Sequence, residues 1–251
     1  MANPVLSEKI FRENQATSTS TGSMTVKGTA TKSLILILMI LAGAMYTWKI
    51  AYEAINPASL QPWMWGGVIG GFIVAMIISF KPMWAQYLAP IYAVLEGLFL
   101  GAISAVFSQA FATSAPGIVM NATLLTILTA VVMLIIYRTN LIKVDGKFAR
   151  IMSIAIGAIA LYYIVSMVLS LFGVNLTMLH DSGPLSIGIS LIIIGVAAFS
   201  LLMDYEFIVR ASESGAPKYM EWYGAFGLMV TLIWLYLEIL KILAKFAGNR
   251  E

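Results

Sequence analysis

The chain has 251 residues, of which 60% are apolar and only 11% charged, and its formal net charge is +3. A soluble domain carries roughly 25% charged residues, so this composition excludes a water-covered globule and points to a bilayer, a solvent that is itself apolar. The cations punctuate apolar runs instead of gathering on one polar face, which argues against nucleic acid as a partner and for membrane flanks. With no cysteine at all, disulfides, thiolate metal sites and cysteine nucleophiles are excluded.

Residues 1–32 are polar and rich in Ser and Thr. They lack the apolar run of a signal peptide and are expected to form a disordered, solvated N-terminal tail. Residues 33–251 are expected to form one transmembrane helical bundle. A spanning helix needs roughly 20 apolar residues, and seven runs qualify: Ser33 to Ala51, Trp63 to Phe80, Tyr87 to Phe111, Ile118 to Tyr137, Ile151 to Phe172, Leu185 to about Val209, and Tyr223 to Phe246. They are continuously apolar rather than alternating, which selects helices over a β-barrel. The predicted class is therefore an all-α integral membrane protein of about seven transmembrane helices. Trp48, Trp63, Trp65, Trp84 and Trp222 sit at span ends, as interfacial anchors do.

Loop charges give an orientation. With the N-terminus inside, nine cations lie on the inner side (Lys27, Lys32, Lys81, Arg138, Lys143, Lys147, Arg150, Arg210 and Lys218) against Lys49, Lys241, Lys245 and Arg250 outside. That balance predicts a cytoplasmic N-terminus. The C-terminal cations fit poorly, and would fit if the last helix did not fully cross or if one earlier segment were re-entrant. The pairs Gly66–Gly70, Gly67–Gly71 and Gly97–Gly101 have the Gly-x-x-x-Gly spacing of closely packed helices, either within the bundle or at a dimer seam.

Soluble-enzyme motifs are missing, no nucleophile–base pair is apparent within the spans, and no cofactor or metal is expected. The single histidine, His180, lies beside Asp181 in a loop and reads as solvated. Chemistry is expected instead at the acids within the spans, because a charged carboxylate at mid-membrane costs several kcal/mol and so faces a polar interior or titrates to its neutral form. Glu96 is predicted about 13 Å from the inner end of its span and Asp204 about 8 Å from the inner end of its own, depths that permit a shared cavity. Glu206 points roughly 200° away from Asp204 and reads as interfacial. Glu238 lies farther along the last span, about 22 Å from its inner end, with Lys241 three residues on as an ion-pair partner. Asp204 and Glu96 have no cation at helical spacing within their spans, which suits proton sensing, and two acids in one site would titrate as a coupled pair.

The segment Pro90-Ile-Tyr-Ala-Val-Leu-Glu96-Gly-Leu-Phe-Leu-Gly101 resembles the third-span Glu-Gly pattern of the Bax inhibitor-1/YccA family, the transmembrane Bax inhibitor motif family. Phe199-Ser-Leu-Leu-Met-Asp204-Tyr-Glu-Phe-Ile-Val-Arg210 resembles its sixth span and Leu235-Tyr-Leu-Glu238-Ile-Leu-Lys241-Ile-Leu its last helix, while Asn3-Pro4-Val5 and Met24-Thr-Val look like its longer bacterial branch. The resemblance implies a bundle with the last helix central, and a pH-dependent calcium leak gated by two aspartates on the sixth and seventh helices. Asp204 matches the first. By spacing, the second falls near Met229 to Thr231, by motif at Glu238, so the latch is rebuilt with Glu238, rebuilt with Glu96, or absent. The expected function is thus a pH-sensitive calcium (cation) leak channel of a bacterial inner membrane, working in the lipid bilayer on calcium or other cations in transit. The competing expectation is a non-transporting regulator of a membrane protease or of protein quality control.

Overall fold

The computed structural model describes residues 22–53, 57–173 and 183–248. Seven long α-helices account for most of them: α1 Val26–Glu53, α2 Gln61–Phe80, α3 Ala85–Ala110, α4 Ile118–Arg138, α5 Gly146–Leu171, α6 Pro184–Glu213 and α7 Met220–Gly248. All seven are long and apolar enough to span a bilayer. Even the shortest, α2 with 20 residues, reaches about 30 Å at 1.5 Å per residue, the thickness of the hydrocarbon core. The expected all-α seven-span class is what the chain forms.

The start of α1 differs from expectation. Helix α1 begins at Val26, so residues 26–32, assigned above to the tail, are helical. Residues 1–21, His180, Asp181 and Arg250 lie outside the described residues. The last helix, α7, is 29 residues long, about 43 Å, and so has the length for a full crossing. Half of its most apolar window is buried, the largest share among the seven spans.

The chain divides into two compact units, which by described residues are 22–110 with 207–230, and 111–206 with 231–248. In the first, α1 and α2 both pack against α3, and glycine makes the approach possible. A Cβ on Gly97 or Gly101 would strike the main chain of α1 at Ile40 or Ala44, and one on Gly67 would meet the Leu95 carbonyl at 2.7 Å. Gly67–Gly71 and Gly97–Gly101 therefore pack inside this unit, whereas Gly66 has open space around its Cβ position. The second unit shows the opposite extreme. Only 6% of the α5 window is buried, and Ile151, Ile154, Leu161, Ile164 and Met167 are exposed along it. In water such a face would drive aggregation; in a bilayer it is ordinary contact with solvent.

Glycine-to-alanine changes separate these environments. Alanine is about 1 kcal/mol the better helix former, yet at position 97 its methyl group meets backbone that has no rotamer by which to yield. Gly97→Ala should lower stability by about 1–3 kcal/mol, and Gly66→Ala should leave it unchanged or raise it. Thermal unfolding in detergent micelles reads the difference; a Gly97→Ala protein as stable as the parent would contradict the packing.

Candidate functional site

Five of the six candidate residues, Asp204, Glu206, Thr231, Glu238 and Lys241, fall within the second unit, where α6 and α7 each contribute one stretch. Glu238 is 3% exposed. Its Oε1 accepts from the Lys241 ammonium at 2.6 Å and from the Tyr163 hydroxyl on α5 at 2.8 Å. Lys241 closes the triangle, with Nζ 3.1 Å from that hydroxyl and 5.0 Å from the Tyr163 ring centroid. The i,i+3 pair is thus present as expected, and Tyr163 is an addition. Glu238 is a compensated charge, and Lys241 reaches it from a side chain that is 42% exposed.

Asp204 is fully buried on α6. The neighbouring Tyr205 hydroxyl donates to the Ala130 carbonyl of α4 at 3.1 Å. Glu206 is half-buried, and its Oε2 accepts from the Tyr137 hydroxyl of α4 at 2.8 Å. Thr231 is buried at 4% exposure. It precedes Glu238 by seven residues, two helical turns, and therefore shares its face of α7.

Glu96 belongs to the other unit. Its carboxylate accepts from the Tyr92 hydroxyl one turn earlier on α3, and the Tyr92 ring stands edge-on to Phe226 at 4.9 Å. Gly71 of α2 leaves room for it, since a Cβ there would sit 2.7 Å from Glu96 Oε1.

Two clusters have no counterpart among the candidates read from sequence. Lys245, 9% exposed, donates to Ser190 Oγ at 2.7 Å and Ser186 Oγ at 2.8 Å, both on α6. The structure thus brings serine hydroxyls against a lysine amine, a juxtaposition the sequence did not suggest. Both serines are buried at 3% exposure, and the contacts solvate the ammonium inside the protein. Glu221, fully buried in the first turn of α7, accepts from Lys218 at 2.8 Å, from Lys32, and from both the amide and the hydroxyl of Thr25. Its i,i+3 spacing from Lys218 was visible in the sequence; the partners from α1 were not. Among the described residues no group of three or more histidine, aspartate and glutamate side chains could hold a metal ion.

The Glu238 cluster predicts a specific non-additivity. Removing the cation alone with Lys241→Met leaves a buried carboxylate with one neutral donor, whereas adding Glu238→Gln removes the charge as well. The double variant should therefore unfold later than Lys241→Met alone, with a coupling of roughly 0.5–3 kcal/mol in a thermal double-mutant cycle.

The family model described as Bax inhibitor 1 like matches residues 3–248. Neither a curated protein nor a solved structure matches the chain. The match takes in all seven helices and every candidate carboxylate, and the chain belongs to the Bax inhibitor 1 like family.

Proposed function

We propose that this membrane protein is a pH-sensitive cation leak, with calcium as its characteristic ion, in a bacterial inner membrane. The observation that carries the reading is Asp204, a fully buried carboxylate in a 30-residue apolar helix. An ionisable group so placed is expensive to keep and marks an ion or proton pathway by default. Oxygen ligands suit calcium, and a carboxylate on the path offers one. Protonating Asp204 removes a charge between packed helices and shifts a closed–open equilibrium. Glu238, in the same unit, has its charge met by Lys241, and the gating role in this reading is assigned to Asp204.

The orientation reading gains support from the same side chains. Lys241 and Lys245 are engaged inside α7 by Glu238, Ser186 and Ser190 and are not free loop charges. Setting them aside leaves Lys49 and Arg250 opposite the nine inner cations, and the positive-inside rule favours a cytoplasmic N-terminus without a re-entrant segment.

Calcium flux into proteoliposomes between pH 6 and 8 should vary several-fold for the native chain and be flat for Asp204→Asn. Equal, pH-independent flux in both would sink the reading. A native chain that passes no cation at any pH would favour the non-transporting regulator of a membrane protease instead. Because the chain has no cysteine, Lys143→Cys provides a clean topology probe. An impermeant thiol reagent should leave it unlabelled in intact cells and label it in inverted vesicles.

A further inference from the structure

Helix α1 starts with an N-cap that its own sequence leaves half made. Thr25 precedes the first helical residue, and its hydroxyl oxygen accepts from the Gly28 amide at 2.9 Å, the ordinary Thr-to-N3 cap. In a complete capping box the N3 side chain is Glu or Gln and reaches back to the amide of the capping residue. Here N3 is Gly28 and has no side chain. The Thr25 amide is taken instead by Glu221 Oε1 at 3.0 Å, from the first turn of α7, and the Thr25 hydroxyl donates to the same oxygen at 2.9 Å. A Cβ on Gly28 would run into that carboxylate. Glycine at this position thus withholds the acid a local cap would use and leaves room for one from another helix.

The surrounding residues hold the arrangement in place. The Met24 amide donates to the Ala216 carbonyl at 2.7 Å, the Ser212 hydroxyl donates to the Met24 carbonyl at 3.3 Å, and Ser23 pairs with Pro217 across an isolated antiparallel bridge. Met24 itself is buried. Lys32 and Lys218 neutralise Glu221, and the Lys32 ammonium also lies 5.5 Å from the Trp222 ring centroid. All of these residues belong to one compact unit.

We propose that Glu221 completes the N-terminal cap of α1 in trans, and that this shared cap is a releasable lock fixing the start of α7 against the start of α1. The geometry makes the lock sensitive to sliding. Moving α7 along its axis by one residue is about 1.5 Å, which takes the Thr25 contacts of 2.9–3.0 Å out of hydrogen-bond range. Both Thr25 contacts share the one Glu221 oxygen and are lost together, so the cap opens as a unit, while the pair with Lys218 three residues away travels with Glu221. Its link to ion flux rests on the leak reading above; its existence does not.

The test uses the full chain in proteoliposomes with amide hydrogen exchange. Glu221→Gln, and separately Gly28→Glu, which supplies a local N3 acid and evicts Glu221 without removing it, should each speed exchange in the first turn of α7 by about tenfold. Joining Ser23→Cys to Pro217→Cys by oxidation, in a chain free of other cysteines, should restore slow exchange to Glu221→Gln, and reduction should abolish the rescue. Unchanged exchange in both single variants, or no rescue on oxidation, overturns the lock. Calcium flux measured in parallel should be several-fold lower in the oxidised than in the reduced protein. A native chain without flux at any pH defeats the leak reading alone, while the lock stands or falls on exchange.

Discussion

A carboxylate between transmembrane helices has no water to fall back on, and its charge must be met by side chains and backbone of the chain itself. Glu221 takes two lysines and two donors of one threonine, Glu238 a lysine and a phenol, and Glu206 and Glu96 a phenol each. Tyrosine recurs because its ring is at home among aliphatic side chains while its hydroxyl still donates. The same requirement explains Lys245, whose ammonium is wrapped by Ser186 and Ser190. Such arrangements fix which helices must be neighbours within each unit, since a partner lost to rearrangement leaves a buried charge bare.

The apolar majority of the chain does different work. Between helices in lipid there is little hydrophobic gain to be had, because acyl chains are as apolar as leucine. Close backbone approach takes its place, and α1, α2 and α3 achieve it where Gly67, Gly97 and Gly101 bring main chains together. On α5 Ile151, Ile154, Leu161 and Ile164 face outward, reversing the inside-out rule of soluble proteins.

Those contrasts explain what was legible in the sequence. Seven spans were readable because hydropathy over 20 residues is a one-dimensional signal, and the Glu238–Lys241 pair because three residues along a helix is a fixed geometry. The start of α1 was placed seven residues late, at Ser33 rather than Val26, because Lys27 and Lys32 look like the polar end of a span. Lys32 is tolerated inside the helix by a carboxylate 189 residues away in sequence, which no local window contains. Tyr163 with Glu238, separated by 75 residues, and Lys245 with Ser190, by 55, were hidden for the same reason. Glu221 was passed over because it stands at the mouth of a span, where an acid normally needs no explanation beyond solvent and the positive end of the helix dipole.

Seen along α7, the charges are not evenly spread. Glu221 holds the first turn and Glu238 lies seventeen positions on, about 26 Å along the axis; each is met by a lysine three residues away and by a hydroxyl from elsewhere in the chain, and Glu221 by Lys32 as well. The two anchors belong to different compact units. Between them runs Gly224-Ala-Phe-Gly-Leu-Met-Val-Thr231, with two glycines, an alanine and no ionisable side chain. That stretch needs no charged partners and packs through large apolar side chains: Phe226 and Met229 are fully buried, as are Tyr223 before it and Leu235 after it.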